Sequence, residues 1–340
     1  MQSERPLSLP NLSDPFAIGS VPIRNRVILA PMSGVTDLPF REIAWKWGAG
    51  LVVTEMVASR ELAHNHGESW ARLKGAGIRP HMVQLAGREA HWMAEAARIA
   101  EANGADIIGI NMGCPAKKVT GGYSGSALMR DPDHALGLIE ATVKAVKVPV
   151  TVKMRLGWDE NSINAPLIAR RAEEAGVRLV TVHGRTRMQF YEGRADWAAI
   201  RAVREAVRIP LIANGDVESI EDARTILALS GADAVMVGRA CQGRPWHAGA
   251  LAGAAAPERQ AIPDLALAHY EAMLDFYGRE VAVRHARKHL GWYLERHAPA
   301  LPPAEKARLM TERDAALAAR LFHAALSNPD HHREPRPEAA

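Results

Sequence analysis

Two cysteines occur in the 340-residue chain, and their settings differ. Cys114 stands in Asn111-Met112-Gly113-Cys114-Pro115, where an apolar run breaks into a glycine-containing turn. A thiol with an ordinary pKa near ~8.5 is mostly protonated at neutral pH. At the end of a strand it is suited to giving a proton, more than to resting as a thiolate. Cys241 has no such setting and reads as a small buried hydrophobe. Two cysteines cannot build a disulfide framework or a zinc ribbon. His64 with His66, and His331 with His332, lack ligand spacing to a cysteine or carboxylate. They read as surface residues, and no metal is expected.

Other chemistry-bearing residues gather where apolar runs end. Asn214-Gly215-Asp216 and Gly238-Arg239 follow two consecutive runs. Glycines there let backbone N–H groups approach an anion, and an arginine adds fixed positive charge. The pair reads as a phosphate cradle more readily than as two turn glycines. Lys153 lies inside an apolar run, where a lysine is costly unless it meets an anion or solvent. A salt bridge would satisfy it. So would a flavin, whose reduced ring carries negative charge near N1. Gln84 and His183, in two further runs, are suited to hydrogen-bond the polar edge of the same ring.

Positioning these residues requires a regular scaffold. Eight short apolar runs recur: Val27–Met32, Leu51–Met56, His81–Ala86, Ile107–Met112, Val148–Met154, Leu179–His183, Ile209–Ala213 and Ala234–Gly238. They are continuous rather than alternating, as strands buried on both faces are. Helical periodicity fills His91–Asn103, Pro132–Val146, Ala165–Ala175, Trp197–Val207 and Ile220–Leu229. Asp131-Pro132 supplies an N-cap and a first-turn proline. Eight strand–helix units over roughly 250 residues predict an α/β (β/α)₈ barrel, with its chemistry on the loops that follow the strands. An open doubly wound sheet is the alternative, set lower because no G-x-G-x-x-G follows the first strand.

The barrel is expected over 1–253 and a small-residue linker over 254–263. A small all-helical C-terminal domain follows over 264–326, carried by Asp264–Tyr277, Glu280–His297 and about Pro303–Leu326. The polar tail 327–340 is expected to lack structure. On the middle helix Arg284, Arg287 and Lys288 share a face beside an apolar one, and alone this reads as solvated charge.

With these residues in view, the chain resembles the tRNA-dihydrouridine synthase family. The resemblance is carried by Asn111-Met112-Gly113-Cys114-Pro115-Ala116-Lys117-Lys118-Val119 with Gly125-Ser126-Ala127-Leu128, and by Thr181-Val182-His183-Gly184-Arg185-Thr186-Arg187. Asn214-Gly215-Asp216, Gly238-Arg239, Ala286-Arg287-Lys288-His289 and Trp292-Tyr293-Leu294 fit it too. It spans about Val21 to His297 and looks most like the bacterial B-type branch. The resemblance implies a flavin mononucleotide (FMN) barrel with a helical RNA-recognition domain, NADPH as reductant, and hydride transfer to C6 of a flipped-out tRNA uridine. It implies that Cys114 protonates C5. Pro31, Met32, Ser33, Gln84, Lys153, Asn214, Gly215, Asp216, Gly238 and Arg239 would hold the flavin, with His183 beside its ring. Asn111, Arg155 and Arg185 would touch the uridine or its phosphate, and Arg284, Arg287 and Lys288 would track tRNA phosphates. Ser33 departs from the alanine common in the family, which a backbone contact tolerates.

Composition sets bounds on this reading. An apolar share of 48% and a charged share of 24% are ordinary for a globular protein. No run of about eighteen apolar residues spans a membrane. The polar stretch Met1 to Phe16 lacks the apolar core of a secretory signal, so the cytoplasm is expected, and a monomer. A net charge of +4 permits an RNA partner without arguing for one. The rival readings are a dihydroorotate dehydrogenase-like enzyme acting on a free pyrimidine, and a non-catalytic RNA-binding protein on a barrel scaffold.

Overall fold

Val, Ile and Leu runs that must be covered on both faces pair in parallel, and here they do so in chain order. The computed structural model describes residues 9–332. The first barrel strand, Val27–Leu29, lies between the eighth, Ala234–Val237, and the start of the second, Leu51–Val52. The third to seventh strands follow as Met82–Ala86, Ile107–Met112, Val150–Arg155, Leu179–His183 and Leu211–Asn214, each paired to its predecessor. The circle closes at the second strand, where Val53 bridges to Met82.

That second strand departs from the expected continuous Leu51–Met56. It breaks after the bridge and resumes as Val57–Ala58 against Leu85 and Ala86. Thr54 spans the gap: its N–H donates to the Met82 carbonyl at 3.1 Å, and its Oγ1 accepts from Gln84 N–H at 3.0 Å. A hydroxyl therefore replaces a ladder partner.

One end of the barrel is plugged. The antiparallel hairpin Phe16–Ile18 and Val21–Ile23 buries Ile18 and Ile23 against Ile28, Leu51, Ile107 and Leu179, near the strand starts. The packed end leaves the strand C-termini as the open face.

Helices cover the outside where their punctuation placed them. Pro132–Ala145 is capped by Asp131, which accepts from His134 N–H. Ile220–Ser230 carries a Ser219/Asp222 capping box and ends at Gly231 with φ 68°. The stretch expected as a helix over Trp197–Val207 is helical only from Arg201 to Ala206. The Trp197 indole is drawn off to donate to the Gly215 carbonyl.

The C-terminal part is all helical: Ile262–Tyr277, Arg279–His297, Pro303–Thr311 and Ala315–Ser327. The stretch 303–326 divides because Asp314 caps the last helix, accepting from Leu317 N–H at 2.7 Å. Of the tail expected to lack structure, Pro329–His332 forms a 3₁₀ turn in which His331 and His332 meet the Ala325 and Leu326 carbonyls. Residues 333–340 lie outside the described residues. This unit has its own core, including Tyr270, Leu290, Tyr293 and Phe322. It docks on the barrel through Phe40, whose ring lies 5.7 Å from His269 and 5.8 Å from His289. The Tyr277 hydroxyl adds a hydrogen bond to Asp37 Oδ2 at 3.0 Å. No helix among the described residues is long and apolar enough to cross a membrane.

His269 and His289 are buried side by side, their rings 5.1 Å apart. Among the described residues His269 Nε2 has no hydrogen-bond partner, and His289 meets at most the Gly34 backbone, which works against its downward shift. Burial pushes His269 down to about 4 and His289 well below its ordinary value, the latter helped by His269 and Lys288. Both are neutral when folded, whereas an unfolded histidine titrates near ~6.5. The unfolded chain therefore gains protons first. The stability these residues contribute is complete above that pH and falls by about 1.4 kcal/mol per pH unit per histidine between there and about 4. Thermal midpoints followed from pH 8 to 4.5 should drop on this acid limb, and His289→Phe should flatten it. An unchanged slope in that variant would clear His289 of the effect.

Candidate active site

The open end of the barrel holds a cavity of about 450 Å³, lined by residues from the ends of strands one, four, five, six, seven and eight. Cys114 is held there from both sides of its turn. Asn111 Oδ1 accepts from the N–H groups of Cys114 at 3.1 Å and Gly113 at 3.3 Å. The Cys114 carbonyl accepts from Ser126 through its N–H at 3.1 Å and its hydroxyl at 2.8 Å. Gly125, at φ 61°, closes the floor: a Cβ there would stand 2.8 Å from the Cys114 carbonyl oxygen and 3.2 Å from its Cβ. Burial raises the thiol above its ordinary value, so Cys114 is protonated at neutral pH.

Gln84 acts from behind this turn. It is buried, does not line the cavity, and accepts from Asn111 Nδ2 at 2.8 Å. The sequence placed it on the rim; the structure makes it a support for Asn111.

Lys153 sits one strand over from Asn111 and donates to Asn214 Oδ1 at 2.9 Å. Among the described residues no carboxylate acts on it. Burial, and then the neighbouring Arg155, lower its pKa to about 7. Asn214 is held in turn by its Nδ2, which donates to the Met236 carbonyl at 2.8 Å. His183 lines the same wall. Burial and the cations Lys153, Arg155, Arg185 and Arg239 keep it neutral, well below its ordinary value. Arg185 Nη1 points at its Nε2 from 3.4 Å, and a guanidinium only donates, so the ring proton belongs on Nδ1. Gly215 is required beside it: φ is 122°, and a Cβ would come within 2.8 Å of His183 Cδ2.

Asp216 is a brace. Its carboxylate accepts from Arg185 at 2.9 and 2.6 Å, from Ala195 N–H at 2.8 Å and from Arg239 at 2.9 Å. Burial works against the charge. The Arg185 and Ala195 hydrogen bonds and the two arginine charges still hold it below its ordinary value. A carboxylate so placed aims Arg239 and does not itself meet a phosphate. Gly238 opens the wall beside it, with Met32 Sδ 3.4 Å from where a Cβ would stand. Pro31, Met32 and Ser33 form the opposite lip, and Gly34 N–H is held by Glu55 Oε1.

Arg155 is occupied by backbone, and Arg185 by backbone and Asp216. Arg155 donates to the carbonyls of Gly113, Thr186 and Phe190, and Arg185 to those of Glu192 and Gly193. Expected as substrate contacts, both strap the loop after strand six to the barrel, Arg155 while lining the cavity and Arg185 without lining it. That loop supplies residues sequence reasoning missed. Phe190 and Tyr191 line the mouth, and Arg155 and Arg239 lie 5.5 and 5.1 Å from the Tyr191 ring. Their only signal was two adjacent aromatics in a chain with 5% aromatic residues.

The expected basic face separates. Arg284 is exposed. Arg287 turns inward to donate to the Thr311 and Glu312 carbonyls, capping a helix. Lys288 reaches the cavity lip: its Nζ is 2.7 Å from where a Cβ on Gly34 would be.

Residues 28–326 match the family model described as dihydrouridine synthase. A probable tRNA-dihydrouridine synthase of Rhizobium leguminosarum bv. phaseoli is 77% identical over 303 residues, 89% of this chain and 96% of that protein. One from Rhodobacter capsulatus is 54% identical over 322 residues, 92% and 98% of the two chains. The tRNA-dihydrouridine synthase B of Xanthomonas campestris pv. campestris is 48% identical over 288 residues, 82% and 87%. Among solved structures, morphinone reductase aligns with a TM-score of 0.51 at 16% identity, over 75% of this chain and 93% of that one, a likeness of fold.

Removing the brace tests the geometry directly. Asp216→Asn keeps the shape but leaves the buried Arg185 uncompensated, at a cost of about 3 kcal/mol in chemical denaturation. A loss below about 1 kcal/mol would mean that the carboxylate charge does not hold the loop.

Proposed function

The chain belongs to the dihydrouridine synthase family, with bacterial B-type enzymes among its relatives, and is an oxidoreductase that reduces uridines of tRNA; we propose that it does so with FMN in the barrel cavity, NADPH as reductant and Cys114 as the acid. The observation that carries this reading is a lysine without a counter-charge and a protonated thiol lining one cavity.

The residues fit such a cofactor. An anionic group would relieve the excess positive charge at Lys153, and Asn214 would fix the direction from which the ammonium approaches. Arg239, aimed by Asp216, and the open backbone at Gly215 and Gly238 would hold a phosphate. Pro31, Met32 and Ser33 would cover the ring through backbone. His183, neutral with its proton on Nδ1, would donate one hydrogen bond. When bound, FMN supplies hydride to C6 of the uracil and draws it from NADPH.

Cys114 does the complementary work. The C5=C6 bond of uracil is polarised by the C4 carbonyl, so hydride at C6 leaves negative charge toward C5. The thiol proton moves to C5, and solvent returns a proton to the sulfur, so the base gains two hydrogens across one bond. Asn111 and Ser126 clamp the backbone on either side of the thiol, which fixes its aim. The target base must leave its stack, at a cost of a few kcal/mol. Lys288 at the lip and Arg284 beyond it would meet the phosphates that follow it. A tRNA substrate and a dinucleotide reductant fit a reaction in the cytoplasm.

Cys114→Ala should keep its flavin absorbance and its tRNA affinity. In single turnover it should form dihydrouridine roughly 10²–10⁴-fold more slowly, the usual worth of a positioned acid. A near wild-type rate would remove Cys114 from the chemistry.

A further inference from the structure

Beside the cavity runs a second depression of about 740 Å³, set between the loops after strands two, three and four. The two share Ser33, Met56, Cys114 and Ala116, so the catalytic thiol forms part of the wall between them. At the far end of this groove the half-buried Trp92 stands with His64 and His91, ring centroids 4.7 and 4.4 Å away. Its cations divide into two kinds. Arg72 and Arg88 are ion-paired with Glu68 and Glu89. Arg60 and Lys118 are exposed and form no ion pair among the described residues, and Lys117 stands exposed next to the groove. One lining carboxylate, Glu61, is likewise unpaired and can accept from a base or ribose.

Resting on the tRNA reading above, we propose that this groove takes the RNA nucleotide adjacent to the target uridine, with Trp92 as its stacking platform and Arg60 and Lys118 meeting its phosphates. A base turned out about its backbone brings the phosphates and the flanking nucleotide beside it close to the enzyme surface. With uracil C5 presented to Cys114, the neighbouring nucleotide leaves the mouth over the wall that Ser33, Met56, Cys114 and Ala116 share. Ser33 also adjoins Gly34, where Lys288 of the helical unit rests. A basic track therefore runs from Lys288 past the thiol to Arg60 and Lys118, with an aromatic ring at its end. Cationic tracks with stacking aromatics bind single-stranded nucleic acid without reading its sequence.

The wild-type enzyme first maps the reduced uridine in tRNA taken from a strain lacking the gene. Trp92→Ala and Lys118→Glu are then expected to raise KM for that tRNA about tenfold while leaving KM for NADPH unchanged. Photocrosslinking with 4-thiouridine at each position flanking the target should label the peptide holding Trp92 or that holding Lys117 and Lys118. The crosslink decides the matter if Trp92→Ala fails to fold. Unchanged KM for tRNA in Lys118→Glu, or label on neither peptide, overturns the assignment. A raised KM for NADPH with unchanged KM for tRNA also overturns it, giving the groove to the dinucleotide. Failure of the wild-type enzyme to form dihydrouridine would instead remove the reading on which it rests.

Discussion

A lysine on an inward-facing strand position, met among the described residues by a neutral amide oxygen alone, is the constraint around which this molecule is arranged. Lys153 donates to Asn214 and to no carboxylate, and burial has lowered its pKa to about 7. The folded chain thus holds a poorly solvated lysine whose charged form an anion would stabilise. Neighbouring charges do not relieve it. Arg155 and Arg185 spend their donors on loop carbonyls, and Asp216, the carboxylate that braces this wall, is shared by Arg185 and Arg239. The cavity is left electropositive, which also keeps His183 neutral.

The same arrangement also fixes the Cys114 turn. Arg155 reaches from strand five to the Gly113 carbonyl on one side and to the loop after strand six on the other. Cys114 is then set by three independent elements: Asn111 in its own strand, Ser126 in the following 3₁₀ turn, and Arg155. A proton donor needs its position fixed more than its acidity increased, and the raised thiol pKa agrees with that division.

Much of the architecture was legible because it follows from local rules. Runs of Val, Ile and Leu read as strands buried on both faces, and Asp131-Pro132 marked a helix start that the structure keeps. Cys114 and Lys153 were legible because each residue type is out of place in its local setting. What stayed hidden depends on partners distant in sequence. That Asp216 braces Arg185, that Arg287 caps a helix, and that Gln84 stands behind Asn111 are facts of pairing across 31, 25 and 27 positions. The break in the second strand was hidden for a related reason, since Thr54 replaces a ladder bond only once Met82 and Gln84 are beside it. Phe190 and Tyr191 belong to no periodic element, so no pattern pointed to them.

On the proposed reading, the cavity asks only for a uracil ring with its C5 toward Cys114. Nothing in its wall distinguishes one uridine of a folded RNA from another. On that reading, selection comes from how the RNA is held outside the cavity, where the helical unit is seated. It is joined to the strand-one side of the mouth by Phe40 packed on His269 and His289, by Tyr277 on Asp37, and by Lys288 over Gly34. All three contacts converge on the segment that begins with the cavity lip, Pro31 to Ser33. A change in that seat would move RNA-facing charge relative to the thiol while leaving Cys114, Lys153 and Arg239 in place. Position selectivity and catalytic competence are thus separable properties of this fold: the first is set at the contact between helices and lip, the second inside the barrel.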